Sequence, residues 1–320
     1  MEQKVRWGVL GYAGIARKHV IPAIQKAENA QLTAIASRGR EKLERAVSDF
    51  GFEKAYESYE QLLNDPEIDA VYIPLPNALH KEWAVRAAEH GKHVLCEKPL
   101  ALTKADCEQM AEVFENNHVK LMEAFMYRFL PGTRELKKLL DKKVIGEVRH
   151  IYSTHRFYLE SKENVRVNAQ LGGGSLRDVG CYPVNLIGWI LNDYPTAVSA
   201  EKTVFQGVDH ALVANLRYKN GVTANISCGF DACSVMLTEI NGTKGSILVR
   251  ESFIDNENPI QVFYEDGRIE LIPVENSDCY QLEVEEFSDA VLHDREPALG
   301  LKESIRNCGL IEEILEKARE

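Results

Sequence analysis

Short apolar runs alternate with amphipathic segments through the first third of the chain. The runs are KVRWGVLG, QLTAIAS, AVYIPLP, HVLCEKP and VKLMEAF, separated by segments such as RKHVIPAIQKAE and HKEWAVRAAEHG. A repeated order of strand and helix predicts a parallel sheet covered on both faces. We therefore predict an α/β fold that begins with a doubly wound, Rossmann-type dinucleotide-binding domain over residues 1–122.

The pattern changes after Glu123. One helix-like stretch, TRELKKLLDKK, precedes long strand-like runs that are joined by the turn sequences KNG, NGTKG and EDG. Such turns are typical of antiparallel hairpins. Residues 123–320 are therefore predicted to form a substrate-binding and oligomerisation domain of α+β type, with a large, mostly antiparallel open sheet and C-terminal helices.

Composition limits the partners. The 49 acidic residues outnumber the 38 basic ones, which disfavours nucleic acid and anionic lipid. No apolar leader or spanning segment is found, so we expect no membrane partner and a cytoplasmic location. The seven cysteines are scattered, without a CxxC pair or a His cluster of zinc spacing, and are expected to be reduced thiols without a metal site.

A glycine-containing turn, WGVLGYAGIARKHV, joins the first strand to the first helix. A dinucleotide pyrophosphate needs backbone amides at a helix N-terminus and small residues that allow close approach. The match to GxGxxG is imperfect, because alanines stand at the second and third glycine positions, and a plain strand-to-helix turn is the alternative. The candidate cofactor residues are Gly8, Gly11, Ala13, Gly14, Ile15 and Ala16.

The end of the second strand bears on the choice of cofactor. NAD-preferring sites usually place an acidic residue there, whereas this chain has Ser37 and Arg38. A hydroxyl and a guanidinium can bind a 2′-phosphate that a carboxylate would repel. NADP(H) is therefore favoured and NAD(H) remains possible; the alternative is a solvated arginine at the start of a surface helix.

The segment PLPNALHKEWAVRAAEHGKHVLCEKPLALT resembles the glucose-fructose oxidoreductase and inositol dehydrogenase (Gfo/Idh/MocA) family. The glycine turn, the PN..H segment, EKP, EAFMYRF, GGGSLRDVGCYPVN and GTKG all occur in the family's order. The resemblance implies an NAD(P)-dependent dehydrogenase or reductase that acts on CH-OH groups. It also implies a homodimer or larger assembly formed through the open sheet.

Lys98 is the predicted catalytic cation. The resemblance places it beside the nicotinamide and the substrate hydroxyl, with a bond to Pro99 that is often cis. The residues themselves place it at the carboxyl end of a parallel strand, where ligands bind, and Pro99 keeps it out of the following helix. Its ammonium could then stabilise negative charge on the reacting oxygen, although a solvated lysine in a turn is the alternative.

GGGSLRDVGCYPVN supplies the predicted proton carrier. Asp178 and Tyr182 are four residues apart and share a helix face if this stretch is helical. The resemblance makes the aspartate a substrate ligand and the tyrosine the acid or base. A phenol is a poor base at neutral pH, but a nearby ammonium favours the phenolate. The alternative is a helix-capping aspartate and a packed tyrosine.

The resemblance adds further cofactor candidates, which are Leu75, Asn77, His80, Glu97 and Lys98 itself. Asn77 could instead cap a helix, and His80 could be a packed histidine. Tyr127 and Arg128 are predicted to line the cleft, and the run of glycines at 172–174 predicts either a close turn over the cleft or a plain loop. Leu130 replaces an expected histidine, which weakens assignment to a hexose or pentose.

We therefore predict an NADP(H)-dependent oxidoreductase that interconverts an alcohol and a carbonyl on a sugar, polyol or cyclic diol by hydride transfer, with Lys98 and Tyr182 at the reacting oxygen. A trans-dihydrodiol-type dehydrogenase would use the same groups. A non-catalytic NAD(P)-binding regulator on the same fold is the alternative from another class.

Overall fold

A computed structural model describes residues 3–320. Its first part forms a six-stranded sheet in the order β3-β2-β1-β4-β5-β6, with every neighbouring pair parallel. This is the strand order of the Rossmann fold, as predicted. The strands are β1 Val5–Leu10, β2 Ala30–Ala36, β3 Lys54–Tyr56, β4 Ala70–Ile73, β5 His93–Glu97 and β6 Leu121–Ala124; the helices are α1 Ile21–Lys26, α2 Arg40–Phe50, α3 Tyr59–Leu63, α4 His80–Glu89 and α5 Lys104–Asn116.

The second part is built on a nine-stranded sheet in the order β14-β13-β12-β11-β7-β10-β9-β8-β15. Its pairs are antiparallel except β7 with β10 and β8 with β15, so the prediction of a mostly antiparallel sheet is confirmed. Helix α7 packs against β7 and β10. The elements are α6 Pro131–Asp141, β7 Val148–Tyr158, α7 Cys181–Leu191, β8 Ala197–Phe205, β9 Val208–Arg217, β10 Thr223–Gly229, β11 Asp231–Gly242, β12 Gly245–Arg250, β13 Ile260–Tyr264, β14 Ile269–Ile272 and β15 Ala318–Arg319.

The last two helices are α8 Cys279–Leu292 and α9 Leu301–Lys317. The chain separates into two compact units, one formed by residues up to Met126 with Tyr280–Ile305, the other by Tyr127–Cys279 with Arg306–Glu320. Most of α8 thus belongs with the first unit, whereas the sequence analysis assigned all residues after 122 to the second domain.

The buried Trp7 of β1 explains this return of the chain. Its Nε1 donates to Ser288 Oγ at 3.1 Å, and its ring lies 5.7 Å from that of Phe287. Burying an indole in an apolar contact while satisfying its N–H is favourable, so α8 covers the sheet face on which Trp7 lies. Because Trp7 and Ser288 are about 280 residues apart in the chain, the local sequence around either residue does not indicate this contact.

Candidate active site

The glycine turn follows the carboxyl end of β1. Gly11 has a φ of +113°, which favours glycine, and its N–H donates to Ala36 O at 2.9 Å. A side chain on Gly8 would approach Leu62 to 2.7 Å, so that glycine serves packing. By contrast, nothing lies within 4 Å of a Cβ added at Gly14, which leaves room for a ligand at the turn. A π-helical turn, Ala16–Val20, follows directly.

Ser37 and Arg38 follow β2 at the same edge of the sheet. Ser37 is buried, and its N–H donates to Tyr56 O at 3.0 Å. Arg38 is exposed, and its guanidinium lies 5.8 Å from the centre of the Tyr59 ring. No ion pair engages Arg38 within residues 3–320. The guanidinium is thus at the surface, and its role as a ligand of the 2′-phosphate stays a prediction.

Lys98 directly follows β5, and its peptide bond to Pro99 is cis, as predicted. The next residue is held by β6, because Leu100 N–H donates to Glu123 Oε1 at 2.9 Å. Glu123 has no exposed surface, and burial raises its pKa to about 7, while hydrogen bonding to the carboxylate, including that from Leu100 N–H, partly offsets that rise. The turn that carries Lys98 is thus anchored to the neighbouring strand.

His80 anchors the same turn from α4. Its Nδ1 lies 2.9 Å from Pro99 O and its Nε2 lies 2.8 Å from Leu75 O. Both carbonyls can accept a hydrogen bond from His80 only when its ring carries two protons. Burial lowers the pKa of His80 and so favours the neutral ring, which donates to one of the two carbonyls. This fully buried side chain joins two loops, which fits the packed-histidine alternative.

Glu97, the last residue of β5, is half-buried and lies near a second, buried glutamate. Tyr72 donates its hydroxyl proton to Glu97 Oε1 at 2.5 Å. Glu283 of α8 is also buried; burial raises its pKa well above the ordinary value, and the Glu97 carboxylate adds to this effect. The raised pKa favours the neutral form of Glu283, which reduces its repulsion with Glu97. Leu75 and Asn77, the remaining cofactor candidates, are half-buried after β4.

Asp178 and Tyr182 lie in the second unit on consecutive helical segments. Asp178 is in the π-helical turn Leu176–Gly180, and Tyr182 is the second residue of α7. Asp178 N–H donates to Gly174 O at 3.0 Å, which ties this turn to the glycine run. The stretch over both residues is helical, which is the condition that the sequence analysis set, and its first turn is π-helical.

Buried Asp209 of β9 fixes the start of this turn. It accepts Ser175 Oγ–H and Leu176 N–H, each at 2.7 Å. Gly174, with a φ of +121°, allows the approach, since an added Cβ would lie 2.2 Å from Asp209 Oδ1. The glycine run is therefore a close turn against Asp209; that it lies over a substrate cleft stays a prediction.

Tyr182 is only 8% exposed and lies among three other rings, which we call the Tyr182 ring cluster. Its ring centre lies 5.9 Å from Tyr127, 5.3 Å from His155 and 5.4 Å from Phe253. Tyr127 is buried and donates its hydroxyl proton to Asn185 Oδ1 at 2.6 Å. Arg128 also contacts Asn185 and stacks over Trp189. These rings present apolar surface beside the Tyr182 phenol.

Sequence reasoning missed three residues at these places. They are Glu123, His155 and Arg166, whose Nε donates to Asp178 Oδ2 at 2.6 Å. A glutamate inside the apolar strand LMEA was a usable signal, since a buried carboxyl needs a partner. The other two had no comparable local signal.

Several absences hold for the described chain. None of its helices is long and apolar enough to cross a membrane. In residues 3–320, no group of His, Cys, Asp and Glu side chains is arranged to hold a metal ion. No disulfide joins any of the seven cysteines in that range, and all but Cys233 are buried.

A Rossmann unit with a lysine directly after β5, and a second unit with an aspartate and a tyrosine on consecutive helical segments, define a class of NAD(P)-dependent oxidoreductases. The comparisons specify the family. Residues 5–125 match the model of an oxidoreductase family with an NAD-binding Rossmann fold, and residues 133–248 match the GFO/IDH/MocA C-terminal domain. The chain belongs to the Gfo/Idh/MocA family, as the sequence predicted.

Individual relatives bear out the enzyme class and the cofactor prediction. The chain is 37% identical to D-xylose 1-dehydrogenase (NADP(+)) 2 of Haloferax volcanii, covering 98% of this chain and 97% of the relative. It is 34% identical to trans-1,2-dihydrobenzene-1,2-diol dehydrogenase of Xenopus tropicalis, covering 76% and 74%. A 3-ketoreductase from Actinomadura kijaniata, solved with NADP and TDP-benzene, superposes with a TM-score of 0.93 at 30% identity, covering 99% and 98%.

Proposed function

We propose that this enzyme uses NADP(H) to interconvert an alcohol and a carbonyl on a sugar, polyol or cyclic diol. The observation that carries the proposal is the position of Lys98, at the carboxyl end of the inner strand β5 of a Rossmann sheet, in a turn anchored from two sides. Ligands of such sheets bind at that edge. A lysine held there is suited to a reacting oxygen rather than to bulk water.

The residues of the first unit fit the cofactor. The open space at Gly14 and the amides of the following turn suit a pyrophosphate, and exposed Arg38 suits a 2′-phosphate. Ser37 and Leu75 complete this edge. When bound, the nicotinamide accepts or supplies the hydride.

The chain's own groups manage charge and protons. The Lys98 ammonium stabilises the negative charge that develops on the substrate oxygen. As a phenolate, Tyr182 takes the hydroxyl proton during oxidation, and as the phenol it gives that proton back during reduction. Its apolar ring neighbours limit exchange with water. Asp178 accepts a hydrogen bond from the substrate, which orients the reacting carbon.

Turnover tests the proposal. NADP⁺ reduction is measured with D-xylose, D-glucose, scyllo-inositol and a trans-dihydrodiol, and NADPH oxidation with the corresponding carbonyl compounds. Lys98→Met serves as the inactive control. Cofactor binding without turnover of any compound would favour the non-catalytic regulator.

The trans-dihydrodiol reaction is the second candidate. It is supported by the 34% identity, over 76% of this chain, to the trans-1,2-dihydrobenzene-1,2-diol dehydrogenase of Xenopus tropicalis. A kcat/KM for the trans-dihydrodiol above those for all sugars and inositols would select this candidate.

We also propose a homodimer or larger assembly. Apolar side chains stay exposed on several strands of the nine-stranded sheet, including Val204 at 43%, Val213 at 42% and Leu271 at 60%. Exposed apolar groups concentrated on one sheet suit a protein partner. Light scattering of the purified protein tests this, and a monomer at all concentrations would refute it.

A further inference from the structure

Arg166 of the second unit contacts Asp178 but has no role in the proposed function. It lies in the 3₁₀ turn Val165–Val167, before the glycine run. Its Nε donates to Asp178 Oδ2 at 2.6 Å. The Asp178 side chain of this pair is 16% exposed, whereas that of Arg166 is 41% exposed, so a ligand can reach the guanidinium.

The glycine run fixes the backbone of Arg166. Gly174 N–H donates to Arg166 O at 2.8 Å, and a side chain on Gly173 would lie 2.5 Å from the same oxygen. From the other direction, Arg166 N–H donates to Asn164 Oδ1 at 3.1 Å. The backbone is therefore held before any substrate binds, which lowers the entropic cost of using this side chain.

The guanidinium keeps donors available. It lies 5.8 Å from the centre of the Phe157 ring, and Nη1 makes one long contact of 3.5 Å to Asn164 Oδ1. Nη2 makes no hydrogen bond within residues 3–320. Since a guanidinium carries five N–H groups, several can serve a ligand while Nε stays on Asp178.

We propose that Arg166 and Asp178 together bind two neighbouring hydroxyls of the substrate, Asp178 accepting from one and Arg166 donating to the other. The inference rests on the proposed function, in which Asp178 is a substrate ligand. A hydroxyl both donates and accepts, so a vicinal diol matches an acceptor and a donor held side by side.

The charges of Arg166 and Asp178 favour a substrate that is uncharged where it contacts the pair. The pair carries no net charge, and the carboxylate would repel a substrate carboxylate or phosphate placed next to it. A substrate that lacks one of the two hydroxyls leaves an N–H of Arg166 or a carboxylate oxygen of Asp178 without a hydrogen-bond partner, which is an effective way for a site to reject an analogue. Arg166 is therefore a specificity-determining residue for vicinal diols.

The test compares Arg166→Met with the wild type on D-xylose and D-glucose and on the 2-deoxy and 3-deoxy forms of each. Hydrogen bonds to charged groups predict a loss of about tenfold to a hundredfold in kcat/KM for the parent sugars. On the deoxy sugar that lacks the hydroxyl bound by Arg166, the variant should match the wild type within about threefold, because no bond remains to be lost. Arg166→Lys keeps the charge but loses the planar, forked set of N–H donors. Its kcat/KM for the parent sugars should lie between those of the wild type and Arg166→Met.

Two controls separate this role from others. Arg156→Met breaks a different Arg–Asp pair, to Asp231 in the same unit, and should leave the ratio of parent to deoxy sugar unchanged. NADPH affinity, followed by fluorescence titration, should be unchanged in Arg166→Met.

Equal losses on parent and deoxy sugars, or a loss of NADPH affinity, would overturn the inference and make Arg166 a structural or cofactor residue. An Arg166→Met protein that does not fold, together with wild-type ratios in Arg166→Lys, would overturn it as well. No turnover of any sugar by the wild type would instead defeat the proposed function, and this inference with it.

Discussion

Glu123 accepts the backbone N–H of Leu100 at 2.9 Å, so a carboxyl group on β6 fixes the chain two residues beyond Lys98. The strand register produces this contact, since Glu123 pairs with Cys96 next to the end of β5. His80 holds the intervening Pro99 carbonyl from α4. The backbone that carries Lys98 is therefore positioned by two buried side chains that do not themselves need to touch substrate.

Glu123→Gln should change how stability depends on pH. The pKa of Glu123 is raised from 4.5 in the unfolded chain to about 7 in the folded one. Between these values the unfolded state releases a proton that the folded state keeps, so the wild type loses stability as pH rises through this window. The loss attributable to Glu123 is about 3 kcal/mol at most.

Glutamine keeps the acceptor for Leu100 N–H but cannot ionise. Urea unfolding at pH 4.5, 6 and 7.5 should therefore show that the free energy of unfolding of Glu123→Gln increases relative to that of the wild type as pH rises. Glu115→Gln, at an exposed position of α5, is the control. A constant difference between Glu123→Gln and the wild type at all three pH values would contradict the prediction.

Arg38→Asp should weaken NADP(H) binding about tenfold to a hundredfold and change NAD(H) binding little, because it replaces a charged donor to the 2′-phosphate with a repelling carboxylate. Fluorescence titration with both cofactors measures this. Arg40→Asp is the matched control, since Arg40 is exposed and pairs with Glu44. If both variants weaken NADPH binding equally, the loss comes from the changed net charge of this surface, and Arg38 is not a ligand of the phosphate.

Gly174→Ala should destabilise the protein by about 1–3 kcal/mol, because its φ of +121° disfavours a side chain and the new Cβ would meet Asp209. Gly221→Ala is the control, with a φ of +75° and nothing within 4 Å of an added Cβ. Thermal unfolding of both variants isolates the clash. Equal destabilisation would mean that Asp209 does not require this glycine.

Local signals account for what the sequence predicted. Apolar runs, KNG- and EDG-type turns and the EKP stop specify strands, hairpins and the place of Lys98, because each depends on neighbours in the chain. Three contacts depend instead on how segments that are separate in the sequence pack together. They are the contact of α8 with Trp7, the Leu100–Glu123 hydrogen bond and the Arg166–Asp178 pair. Such contacts follow from packing, which no short segment encodes by itself.

The proton carrier gives the last prediction, since hydride transfer leaves a charge on the substrate oxygen that a proton must neutralise. Tyr182→Phe removes only the hydroxyl and keeps the ring in contact with Tyr127, His155 and Phe253. Turnover should fall about a hundredfold to ten-thousandfold, the usual contribution of a general acid or base, while NADPH affinity stays nearly unchanged.

Two variants make this prediction specific. Tyr127→Phe removes a phenol hydroxyl from the same ring cluster, one bonded to Asn185, and should cost stability of about 1 kcal/mol but little turnover. Lys98→Met should reduce turnover at least as much as Tyr182→Phe, and the double variant should lose less than the product of the two factors, because both groups act on one oxygen. Steady-state turnover on the best substrate of the panel provides the measurement. If Tyr182→Phe keeps more than about half of wild-type turnover where chemistry limits the rate, far outside the range for an acid or base, the phenol only packs and the proton leaves by another group.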